Sequence, residues 1–108
     1  MKTYTVLISE TAETDLQEII RFISLERREP LNARNLLSRI REAILDLEKM
    51  PYRHVLVRDE RLASQGIRML PVENHMVFYI ASEANDSVSI VRILHSRREW
   101  TELLLGRG

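Results

Sequence analysis

The stretch from Gly66 to Trp100, GIRMLPVENHMVFYIASEANDSVSIVRILHSRREW, reads as three successive β-strands joined by tight turns. Ile67–Val72 forms the first, and Pro71 near its end marks an edge or turn-adjacent position, because proline cannot donate to a ladder. Glu73-Asn74 makes a tight turn into Met76–Ala81, centred on Val77-Phe78-Tyr79. Glu83 to Asp86 turns the chain again, and Val88–His95 is the last strand. Strict alternation puts Val88, Ile90, Arg92 and Leu94 on one face of it and Ser89, Val91, Ile93 and His95 on the other. Both faces carry apolar side chains.

Outward toward the N-terminus, Thr3–Ile8 alternates polar and apolar residues, with Tyr4, Val6 and Ile8 on one side, as an amphipathic strand does. Ser9 or Thr11 can cap a helix that follows, and Glu10, Glu13 and Asp15 put negative charge where the helix dipole favours it. Ala12, Leu16, Ile19, Ile20 and Ile23 then share a helical face. Pro30 suits the first turn of a second helix, in which Ala33, Leu36, Leu37, Ile40, Ile44 and Leu47 repeat the pattern until Met50-Pro51 stops it. The expectation is two antiparallel helices near residues 11–27 and 31–49. Tyr52–Gln65 is polar and weakly periodic, a loop with one strand-like piece around His54–Val57. Arg97–Leu105 closes the chain as a short helical or irregular tail, with Trp100 as its packing anchor.

The fold class is therefore α+β. An N-terminal strand and a two-helix antiparallel hairpin precede three antiparallel strands, forming one antiparallel sheet with the helices packed on one face. The helices cover one face only, so the other is expected either to expose an apolar patch for a partner or to lie under the Tyr52–Gln65 loop and the tail. At 108 residues, a single domain over 1–108 is expected.

Hydrophobic content of 44% and charged content of 30% describe a folded chain rather than a disordered one. No apolar run reaches the ~18 residues of a membrane span. The opening MKTYTVLISETAET has no charged and then apolar segment of a secretion signal, and cysteine is absent, so a cytoplasmic protein with no membrane partner is expected. Lys+Arg and Asp+Glu balance at 16 each, which disfavours a protein that coats nucleic acid. Only Lys2 and Lys49 are lysines; the other cations are arginines, whose planar forks suit carboxylates and phosphates but cannot take up a proton near neutral pH.

His54, His75 and His95 lie in separate segments without zinc-site spacing, and there is no glycine-rich phosphate loop and no nucleophile elbow. No metal and no cofactor is expected. An enzyme built from this chain would rely on Arg, His, Glu and Tyr, which can cleave RNA through its 2′-hydroxyl: His95 as acid or base, with Arg68, Arg92, Arg97 or Arg98 clamping phosphate. Each has a plain structural role as well. A histidine ending a strand meets solvent or a carbonyl, Tyr79 sits where a core aromatic belongs, Arg92 suits a carboxylate partner, and Arg97-Arg98 fits a solvated turn.

Arg68-Met69-Leu70-Pro71-Val72, His75-Met76-Val77-Phe78-Tyr79 and Ile90-Val91-Arg92-Ile93-Leu94-His95, in this order after a helical hairpin, resemble the RelE/ParE superfamily of bacterial type II toxins. The resemblance implies an arginine of functional weight at Arg68 and a toxic or catalytic side chain at His95, so Arg68, His95, Arg97 and Arg98 are the candidate toxicity residues, with Tyr79 beside them. The ribonuclease members carry an arginine where this chain has Met76, often a tyrosine or further base where it has Ser96, and lysines it lacks. The ParE-like branch, which poisons DNA gyrase, is the better fit. The resemblance also implies a cognate antitoxin that wraps the toxin with an amphipathic helix or extended segment over the apolar sheet face or the hairpin groove. Two other readings stand beside it: a metal-independent endoribonuclease acting on mRNA at the ribosome, and a family member that only binds its antitoxin.

Overall fold

The computed structural model describes residues 2–106. Strand β1 (Thr5–Ile8) leads into helix α1 (Glu10–Arg21), a π-helical turn (Phe22–Glu26) and helix α2 (Pro30–Asp46). A short helix α3 (Glu60–Ala63) precedes strands β2 (Ile67–Val72), β3 (His75–Ser82) and β4 (Ser87–His95), and helix α4 (Trp100–Leu104) follows. Ser9 is the N-cap of α1, its side chain accepting the Ala12 N–H, and Pro30 opens α2. Both are where the sequence signals place them. The first helix stops as α-helix at Arg21 rather than near 27, because the last turn widens to π geometry.

The four strands lie in the order β1-β4-β3-β2. β2, β3 and β4 are antiparallel as expected, but β1 pairs with β4 in parallel, so the sheet is mixed. The helical hairpin explains the direction. It returns the chain to the end of the sheet where β1 begins, and there the Tyr4 N–H donates to the Glu48 carbonyl. β2 therefore starts at that end, and β4, two tight turns later, runs in the direction of β1.

A bulge corrects the expected alternation of β4. Phe78 faces Arg92 and Tyr79 faces Ile90, which leaves Val91 as the extra residue. Past it the faces exchange. Ile90 and Ile93 share the helix side of the sheet, where Leu36, Ile40, Ile44 and Leu47 pack with Leu70, Val77, Tyr79 and Val88. Leu94 and Val91 join the opposite side.

That opposite side is covered by the chain itself. Val57, Leu62, Ile67, Phe78 and Leu94 form a second cluster, flanked by Met69, Met76 and Ile80 and covered by Trp100 and Leu103 to Leu105. Trp100 lies 5.2 Å from Phe78, centroid to centroid, as the anchor the tail needs. The region read as a loop contributes α3, which Asp59 caps by accepting the N–H groups of Arg61 and Leu62. Its strand-like piece is a single bridge, Leu56 to Arg68.

Candidate functional site

Helix α1 is stitched to β4 where β1 ends. Ser9 N–H donates to the Ile90 carbonyl and Ser9 Oγ to that of Val91. Six residues on, Asp15 takes two hydrogen bonds from the Arg92 guanidinium (2.7 and 2.9 Å) and one from the Ile93 N–H (3.0 Å). Asp15 thus satisfies a ladder donor that β1 is too short to reach and neutralises Arg92, whose pKa rises chiefly through that bond. Arg92 is architecture, as its strand-face position implied.

Beyond this stitch the helices and the sheet diverge around a cavity of about 790 Å³. Ile19, Ile23, Leu36 and Ile93 give it apolar walls, and Phe22 stands at its mouth, 55% exposed. Its strand side is closed by His75 and His95, directly opposed across β3 and β4 with ring centroids 5.0 Å apart and planes at 73°. His75 is buried, and its Nδ1 has no hydrogen-bond partner. Burial, and then the neighbouring His95, lower its pKa. His95 is half-buried; its Nδ1 accepts the Arg97 N–H and its carbonyl accepts the Arg98 N–H. Arg98 lines the cavity and Arg97 is exposed.

Arg68 lies elsewhere. It opposes Tyr79 on the helix side of the sheet, four residues along β3 from His75. That is about 13 Å along the strands, at roughly 3.3 Å per residue. Its Nη1 donates to the His54 carbonyl (2.6 Å), and its guanidinium lies 5.1 Å from the Tyr52 ring centroid. Tyr79 donates its hydroxyl to the Pro51 carbonyl (2.8 Å), and burial raises its pKa. Both side chains hold the 51–57 segment on the sheet.

The structure therefore brings together His95, Arg97 and Arg98 and leaves Arg68 and Tyr79 at the other end. Met76, adjacent to His75, points to the opposite side, into the apolar cluster. Among the described residues no three His, Asp or Glu side chains are grouped to hold a metal ion. Sequence reasoning missed His75. Counting outward from the Ser82–Ser87 pair places Leu94 opposite His75, and the Val91 bulge moves His95 there.

The family described as "ParE toxin of type II toxin-antitoxin system, parDE" matches residues 6–100. The chain belongs to the ParE toxin family. In this ParE-family toxin the match runs from Val6 in β1 through the helical hairpin and strands β2 to β4 to Trp100. Two solved structures share its fold. The RelBE2 toxin–antitoxin complex of Mycobacterium tuberculosis aligns with a TM-score of 0.63 at 25% identity, covering 88% of this chain and 93% of that one. A chromosomal ParDE toxin–antitoxin system of P. aeruginosa aligns with a TM-score of 0.66 at 19% identity, covering 86% and 96%. Comparison with curated protein sequences returns no match. No helix among the described residues is long and apolar enough to cross a membrane.

Proposed function

We propose that this ParE-family toxin arrests growth by gripping DNA gyrase through protein–protein contact rather than by cutting RNA. The observation that supports this most is the side of the sheet bearing Met76. It is filled by Phe78, Ile67, Leu94 and Met69 and covered by Trp100 and Leu103 to Leu105, so the surroundings of Met76 are apolar. The imidazole of His95 opens on the other side, and Arg68 is engaged with a carbonyl at the far end. Of the arginines a phosphate clamp would draw on, Arg92 is held by Asp15 and Arg68 lies at the far end, which leaves Arg98 beside the two imidazoles.

His95, Arg97 and Arg98 are the proposed toxicity residues, with Arg68 in a supporting role. The cognate antitoxin is proposed to dock on the hairpin rather than on the sheet, since the chain itself covers the sheet's second side. Exposed Phe22, Leu25 and Leu31 at the hairpin tip are the apolar surface for it. The test is induction without antitoxin, followed by a gyrase supercoiling assay on extracts and primer extension on ribosome-bound transcripts. Stalled supercoiling with intact transcripts is expected. Transcript cleavage that disappears in His95→Ala would replace this reading with the nuclease, and the absence of both effects would leave a chain that only binds its antitoxin.

A further inference from the structure

The two histidines at the cavity close more than a ladder. His75 begins β3 directly after the Glu73–Asn74 turn, and that turn is held from both sides. Ser96 donates both its N–H (2.9 Å) and its hydroxyl (2.6 Å) to the Asn74 carbonyl, while Glu73, at φ +53°, is paired with Arg39 of α2. A non-glycine residue in left-handed geometry stays there only while its surroundings hold it.

Charged groups face the pair from every element around the cavity. From α1 come Asp15, already held by Arg92, and Glu18, which acts on the same guanidinium. Arg27 and Glu29, between the π-helical turn and α2, pair with each other, as Arg39 and Glu73 do. The carboxylates thus have cationic partners, and Arg98 adds a positive charge of its own. For His75, burial and then the neighbouring His95 both disfavour the imidazolium. A second positive ring at 5.0 Å would repel the first, and His75 is buried.

We propose that His75 and His95 form a proton-operated latch: neutral, they hold the Glu73–Asn74 turn and the end of β4 closed over the cavity, and protonation in mild acid releases both and opens its apolar wall. The lowered pKa of buried His75 agrees in sign. A histidine depressed in the closed state binds its proton better once released, so closure is complete above the ordinary value of about 6.5 and weakens as pH falls below it.

Amide hydrogen exchange on the full chain tests this, with protection factors corrected for the intrinsic pH dependence of exchange. The Ser96 amide, which bonds across the turn, is expected to lose protection about tenfold between pH 7.5 and 5.5, while Val88 in mid-sheet keeps its own. In His95→Asn that pH dependence should shrink to less than about twofold. Equal protection of Ser96 at both pH values, loss at Val88 in step with Ser96, or an unchanged response in His95→Asn would each overturn the latch. Proton NMR of the rings gives a second reading that needs no buried substitution. Removing the His95 ring must move the His75 titration toward higher pH, and a His75 curve that does not move sinks the coupling.

Discussion

The two ends of the sheet's helix side carry similar side chains and use them differently. At one end Arg68, Tyr79, Tyr52 and His54 interlock: a guanidinium and a phenol each donate to a backbone carbonyl, the His54 and Tyr79 rings meet edge to face, and the guanidinium lies over the Tyr52 ring. At the other end His75, His95 and Arg98 border a cavity, and a buried imidazole nitrogen has no partner. An arginine and a tyrosine with satisfied donors fix a loop. A buried imidazole nitrogen without a hydrogen-bond partner beside an open volume leaves room for something to enter. The residue types alone do not separate these cases; their hydrogen bonds do.

The largest effect is expected between the two ends. Asp15→Ala leaves the Arg92 charge and the Ile93 N–H unpaired, and should cost about 3–5 kcal/mol in denaturant unfolding. Arg68→Ala should cost about 1.5–3 kcal/mol, the value of a charge-assisted hydrogen bond. His95→Ala should change stability by less than about 1 kcal/mol yet abolish growth arrest. An Arg68→Ala protein that is fully stable and non-toxic would erase the contrast between the ends. Tyr79→Phe should cost about 1 kcal/mol for one lost bond to Pro51 and leave toxicity in place.

The pH dependence is smaller, and both ends contribute to it. Burial lowers the pKa of His54 and of His75, so the unfolded chain takes up protons more readily than the folded one. Stability should be level above about pH 6.5 and decline as pH falls through the folded values, visible as a falling melting temperature. Asp59 follows a separate course. The Arg61 side chain, and then the capped N–H groups, hold its carboxyl down at about 2, so its cap on α3 should survive until pH falls below the ordinary carboxylate range toward that value. A chain already unfolding at pH 4 through loss of α3 would contradict this.

Much of the fold was legible because it rests on local chemistry. Ser9, Pro30 and the 3.6-residue rhythm from Ala33 to Leu47 mark both helices, and the Glu73-Asn74 and Glu83–Asp86 turns mark three strands. What escaped depends on how distant pieces fit. Val91 bulges because two strands must match, and alternation within β4 contains no trace of that. The direction of β1 is set by where α2 ends, near Tyr4. α3 is too short for periodicity, although Asp59 before Glu60 was a readable cap. At the site, His95 was legible as a strand-terminal histidine, but its partner His75 was not, because the bulge decides which residues face each other.

The parallel pairing of β1 with β4 also orders events during synthesis. Thr5–Ile8 leaves the ribosome about 80 residues before its strand partner, Ser87–Ile90. At about 5–20 residues per second the first strand waits several seconds, with Leu7 and Ile8 unpaired. The hairpin helices can form meanwhile, but the Asp15 stitch and the cavity cannot. A chain that ends before β4 is therefore left without the His75–His95 opposition, and an interrupted translation product is expected to be harmless to the cell that made it.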